Sequence, residues 1–122
     1  MTQTSLPITV CTYVPRWDLT EWIMLEGEAK FELGMISVSQ WALKELTEQT
    51  IRTALLRHAH GDWGDIDSAY PEMHSPKPSA VNDRAVTECG EIMSLYDCDG
   101  NPFYIFTEGT GCNTRIFMLL EM

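Results

Sequence analysis

Residues 8–14, Ile8-Thr9-Val10-Cys11-Thr12-Tyr13-Val14, alternate apolar and hydroxyl-bearing side chains. That pattern predicts a strand with one buried face, ended by Pro15. Asp18 to Leu25 fits either a short helix or a second strand, and Gly27 stops it in both cases. Phe31 to Val38 reads as extended, with Gly34 at a bend. Ser39 is placed to cap a short helix over Gln40 to Leu46, and Thr47 to cap a longer one from Glu48 to about His60. In the longer helix Ile51, Ala54, Leu55, Leu56 and Ala59 fall on one stripe, and Gly61 supplies the left-handed end. The prolines of Tyr70 to Pro78 predict an exposed loop. Ser79 can cap a helix over Ala80 to Cys89, its apolar stripe being Val81, Ala85, Val86 and Cys89. The remainder reads as a meander of three strands: Glu91 to Cys98, a turn at Asp99-Gly100, Phe103 to Glu108, a break at Gly109-Thr110-Gly111, and Arg115 to Leu120. In the second of these strands Phe103, Ile105 and Thr107 share one face and Tyr104 and Phe106 the other. The apolar run Ile116 to Leu120 predicts a central strand, or one covered on both faces.

These elements predict an α+β fold: an antiparallel sheet, with the C-terminal meander in it, and two to three helices packed on one face. At 122 residues and 44% hydrophobic, the chain suits a single domain spanning 1–122. Its 18 acids and 8 bases leave a formal charge of -10. That balance argues against direct binding of nucleic acid or of an anionic membrane surface, since both need cations on the protein. It suits a basic partner, a metal ion, or simple solubility. The apolar runs are far short of a membrane span, and the first residues carry no signal-peptide pattern, so a cytoplasmic protein is expected. Cys11, Cys89, Cys98 and Cys112 contain no CxxC pair, and buried free thiols are expected of them.

Chemistry-bearing residues concentrate in 57–67, Arg57-His58-Ala59-His60-Gly61-Asp62-Trp63-Gly64-Asp65-Ile66-Asp67. With Asn82, the strand from Gly90 to Tyr96, Asp99-Gly100 and Ile105-Phe106-Thr107-Glu108, this stretch resembles one family. It comprises small proteins of plasmids, conjugative elements and phages, often labelled plasmid-related or restriction-subunit-like. Its usual pattern runs RHxxGDWGDLDEEDKxxN, then GxRxLSxY, then DGTKxWIITEADRS. The resemblance covers about residues 33–120 and leaves 1–30 as a variable N-terminal segment. It implies a mobile-element origin but no activity. Here Gly109-Thr110-Gly111 replaces the family's Ala-Asp-Arg, a proline-containing loop replaces its acidic helix start, and its terminal Pro-Glu-Glu-Tyr is absent.

Three kinds of site are open to these residues. His58, Asp62 and Asp65 offer imidazole and carboxylate ligands for a metal, although His58 and His60 point about 200° apart on a helix. Equally, turn aspartates commonly serve loop amides, with Trp63 plugging the core edge. His58 can act as a general base oriented by Asp65 or Glu108, or can simply bond the last carbonyls of its helix. No nucleophile elbow surrounds Ser68 or Ser94, so no hydrolytic triad is expected. Finally, residues 62–99 hold nine acids and two bases. Such a surface can occupy a basic nucleic-acid channel, or can be only a solvated face. Its expected contact residues are Asp62, Trp63, Asp65, Asp67, Tyr70 and Glu72, with the aromatics as anchors.

The expected function is therefore that of an acidic, non-catalytic, cofactor-free binding protein of a mobile element. Its partner would be a protein or nucleoprotein complex with a basic surface, inhibited as part of host defence, of CRISPR or restriction type. The alternatives are a metal-dependent hydrolase or nuclease using the His58–Asp67 cluster, and a structural homodimer built through the strand at 115–120.

Overall fold

The computed structural model describes residues 11–13, 29–109 and 113–121. Its elements are β1 (Cys11–Tyr13), β2 (Met35–Ser39), α1 (Gln40–Glu45), α2 (Glu48–Ala59), α3 (Ile66–Ala69), α4 (Pro78–Glu88), β3 (Ile92–Cys98), β4 (Asn101–Thr107), β5 (Asn113–Met118) and a 3₁₀ turn (Leu119–Glu121). The expectations for 8–10, 14–28 and Thr110-Gly111, and for the thiols of Cys11 and Cys112, lie outside the described residues.

The class is α+β, as the patterning predicts. The sheet has the order β1-β2-β5-β4-β3. The C-terminal meander is antiparallel throughout, and Asp99 and Gly100 turn its first hairpin with φ of 52° and 85°. Both values are positive, as a type I′ turn requires. The sheet as a whole departs from the antiparallel expectation, because β2 runs parallel to β5 with Val38 opposite Ile116. Helices α1 and α2 follow β2, so the chain leaves the sheet there rather than returning by a hairpin.

The helices also depart from the expectation of a single covered face. Val38, Phe103, Ile105, Ile116 and Met118 join Ala42, Ile51, Ala54, Leu55 and Ala59 in one core cluster, which places α1 and α2 on that face. Tyr104 and Phe117 alternate to the other face and join Trp63, Ile66 and Ala85 in a second cluster. The second face is apolar in its own right, so it too must be covered. β5 is central, flanked by β2 and β4, in agreement with its apolar run. It is paired on one side over Asn113–Ile116 with β2 and on the other over Thr114–Met118 with β4.

The caps explain where the helices start and stop. Ser39 accepts from the Ala42 amide and Thr47 from the Thr50 amide, as expected of both. Ser39 also donates to the buried Glu121, which accepts the Met118 amide, so one carboxylate joins α1 to the end of β5. Helix α4 starts at Pro78 rather than Ala80 and has no side-chain N-cap of its own. Instead Asp67 reaches in from α3 and accepts both the backbone and the hydroxyl of Ser79. The buried face of α4 is Pro78, Asn82 and Ala85, whereas Val81 is 41% exposed. Cys89 lies in the left-handed region at the end of α4 and is exposed, and Cys98 is half-buried. The expectation of buried thiols thus fails for Cys89, because the turn that ends the helix carries it outward.

Candidate functional site

The site begins at the end of α2. The Gly61 amide bonds His58 O and the Asp62 amide bonds Arg57 O, the two bonds of a Schellman cap, with Gly61 at φ 87°. Arg57 then forks both oxygens of Asp62, at 2.7 and 3.2 Å, while its guanidinium lies 4.7 Å from the centre of the Tyr96 ring. The hydrogen bond from Arg57 holds the Asp62 carboxyl below its ordinary range and raises the guanidinium. Asp62 also accepts the Gly64 amide, and its carbonyl accepts the Tyr96 hydroxyl at 2.5 Å. Burial pushes that phenol upward.

Residues 63–65 then run along the outer edge of β3. Leu95 donates its amide to Trp63 O, and the Asp65 amide donates to Leu95 O. One pleat away, the Asn82 side chain donates to Met93 O at 2.7 Å and accepts the Met93 amide at 3.2 Å. The edge strand is thus closed at two successive outward positions by the chain itself. Gly64 is fixed by this contact: its φ is 66°, and an added Cβ would stand 2.0 Å from Leu95 O.

His58 is the interior member of the stretch and is fully buried. Its Nδ1 lies 2.6 Å from Ser94 Oγ and its Nε2 2.9 Å from Thr107 Oγ1. Thr107 contacts Thr114 at 2.8 Å, and Thr114 donates to Leu33 O at 2.6 Å. The last bond fixes the direction of the others. Thr114 spends its proton on Leu33, so Thr107 donates to Thr114 and accepts from His58 Nε2–H. Nδ1 then accepts from Ser94. Every polar atom of the ring is satisfied in the neutral form, and burial lowers its pKa to about 3. Phe31 and Trp63 pack edge-on against the ring at 5.2 and 5.9 Å.

This geometry corrects several expectations. His58, Asp65 and Glu108 are not assembled as a general base with its orienting carboxylates. His58 is taken up by hydroxyls, Asp65 is exposed, and Glu108 pairs with Arg115 and Asn113. His58, Asp62 and Asp65 do not form a ligand set: the histidine points inward and Asp62 is held by Arg57. Among the described residues no three ligating side chains gather around one point. Trp63 is 6% exposed, and its Nε1 donates to Asp83, so it is core rather than an anchor. Tyr70 is half-buried beside Tyr104, and Asp67 is committed to Ser79. Of the expected contact residues, Asp62, Asp65 and Glu72 are exposed carboxylates, Asp62 paired with Arg57, and Asp97 and Asp99 are exposed as well. Glu91 precedes β3 and Asp97 nearly ends it, a separation of about 20 Å along an extended strand.

The sequence reading missed the roles of Ser94, Thr107 and Thr114. Each sits at an inward position between apolar neighbours of its strand: Ile92 and Tyr96, Ile105, and Ile116. A hydroxyl on the buried parity of a strand requires a partner, and a histidine on the buried stripe of a helix requires two. That complementarity was the available signal. Among the described residues no helix is long and apolar enough to cross a membrane. Compared with protein-family models, curated proteins and solved structures, the chain finds no match in any of the three.

Proposed function

We propose that the chain is an acidic, non-catalytic binding protein that engages the basic surface of a nucleic-acid-handling complex and inhibits it. The observation carrying this reading is the division of labour between the residues of 57–67 and the acids that follow them. His58, Trp63, Gly64 and the Asp62 carboxylate are consumed in closing the fold, while Asp65, Glu72, Asp97 and Asp99 stay outside with their charge. Fixed exposed carboxylates on a chain of net charge -10 attract a cationic groove at long range and compete with phosphates for it. The resemblance of the GDWGD stretch to mobile-element proteins directs the reading toward host defence, of CRISPR or restriction type.

A transformation assay tests it. The chain is expressed in strains carrying active restriction or CRISPR systems, and uptake of a targeted plasmid is scored. The reading expects uptake to rise at least tenfold against one such system. Unchanged uptake against the whole panel would contradict it.

A further inference from the structure

The cover on the outer edge of β3 rests on the His58 ring. Trp63, whose carbonyl holds the Leu95 amide, packs edge-on against the imidazole, and Asp65 completes the cover two residues later. The ring is suited to this position while neutral, because it is fully buried and Nδ1 accepts from Ser94. A proton on Nδ1 turns the Ser94 bond round, since a hydroxyl also accepts, but it puts a charge in a fully buried site where no counter-charge meets the ring among the described residues. Phe31, Trp63, Ser94 and Thr107, which meet the ring, are all uncharged. The charged and titratable groups of the flanking elements are otherwise engaged. On α2 itself, Arg57 is paired with Asp62, and His60 Nδ1 lies on Leu56 O. Lys30 lies beside Gly61, Tyr96 of β3 donates to Asp62 O, and Glu108 after β4 is paired with Arg115 of β5.

We propose that His58 is an acid-sensitive latch, whose protonation releases the last turn of α2 and residues 61–65 and uncovers the outer edge of β3. Once outside, an imidazolium at the C-terminal end of α2 is favoured by the helix dipole. Ile51, Ala54 and Leu55, one to two turns earlier in α2, keep that part of the helix on the sheet. The opening is therefore local rather than global.

Amide hydrogen exchange on the intact chain tests this, read as protection factors between pH 7.5 and 5. Protection at Leu95 and Asp65 is expected to fall about tenfold for each pH unit below 6.5, as one coupled proton requires, and to lie at every pH at least tenfold below that of the β4–β5 ladder, which opens only with the whole fold. In His58→Gln, which keeps an acceptor and a donor but does not titrate, that dependence should vanish. Equal protection at Leu95, Asp65 and the β4–β5 ladder, or protection at Leu95 and Asp65 that did not change with pH, would overturn the latch. Should His58→Gln not fold, the ratio of Leu95 to ladder protection in the unsubstituted chain decides alone.

Discussion

His58 Nε2 and Thr107 Oγ1 stand 2.9 Å apart in the interior, and the proton between them belongs to the histidine. That assignment follows from the Thr114 bond to Leu33 O, and it makes the imidazole a neutral structural node. Nitrogen NMR at pH 7 should therefore show the Nε2–H tautomer for His58.

The same node sets a pH dependence of stability. The folded chain holds His58 neutral down to about pH 3, whereas the unfolded chain protonates it near 6.5. Between those values the unfolded state binds the extra proton. The contribution of His58 is thus complete above pH 6.5 and declines as pH falls, by up to about 1.4 kcal/mol per unit. Urea unfolding at pH 7.5, 6.0 and 5.0 should show this decline, and His58→Gln should remove it from the difference between the two proteins. Equal pH slopes in both would refute the assignment.

Thr107 takes one bond from the ring and gives one to Thr114. Thr107→Val keeps the shape but strands the Nε2–H. It should cost about 1–3 kcal/mol, and Thr107→Ser distinctly less. Denaturant midpoints at constant m would give both values.

Gly61 and Gly64 both adopt positive φ, yet their alanine variants should differ. At Gly61 the atoms nearest an added Cβ belong to the flexible Lys30 side chain, at 3.0 to 3.3 Å. The cost there should be the left-handed penalty of about 1–2 kcal/mol. At Gly64 the same atom meets the Leu95 carbonyl, so Gly64→Ala must also break the cover on β3 and should cost more. Thermal unfolding of the two variants side by side would show a lower midpoint for Gly64→Ala; the reverse order would contradict the edge contact.

Local rules carried much of the fold. The Ser39 and Thr47 caps, the α2 stripe, the Asp99-Gly100 turn and the alternation in β4 are each set by neighbouring residues, and each stands where the pattern put it. What was hidden depends on distant pairing. The parallel seat of β2 beside β5 joins residues nearly eighty apart, and the amphipathic pattern of neither strand encodes direction. The site was hidden for a related reason. Histidine, aspartate and tryptophan read alike whether they face a ligand or one another. The facing partners of His58 and Trp63 are Ser94, Thr107 and Asp83, twenty or more positions away.

Asn82 illustrates that long-range economy and gives a further test. Its amide replaces a neighbouring strand for Met93, taking both the carbonyl and the amide. Asn82→Ala should speed exchange at the Met93 amide at least tenfold while leaving the β4–β5 ladder protected. Unchanged exchange at Met93 would mean that another group closes the edge.

The most direct test of the division between buried lock and exposed charge is a paired pull-down from a bacterial lysate treated with nuclease. The unsubstituted chain is compared with Asp65→Lys/Glu72→Lys/Asp97→Lys, which leaves Arg57–Asp62, His58 and Asp67–Ser79 intact. The account predicts that the unsubstituted chain retains a nucleic-acid-handling protein in near-stoichiometric amount, and that the folded triple variant retains none. Equal retention by the triple variant, or none by either, would contradict it.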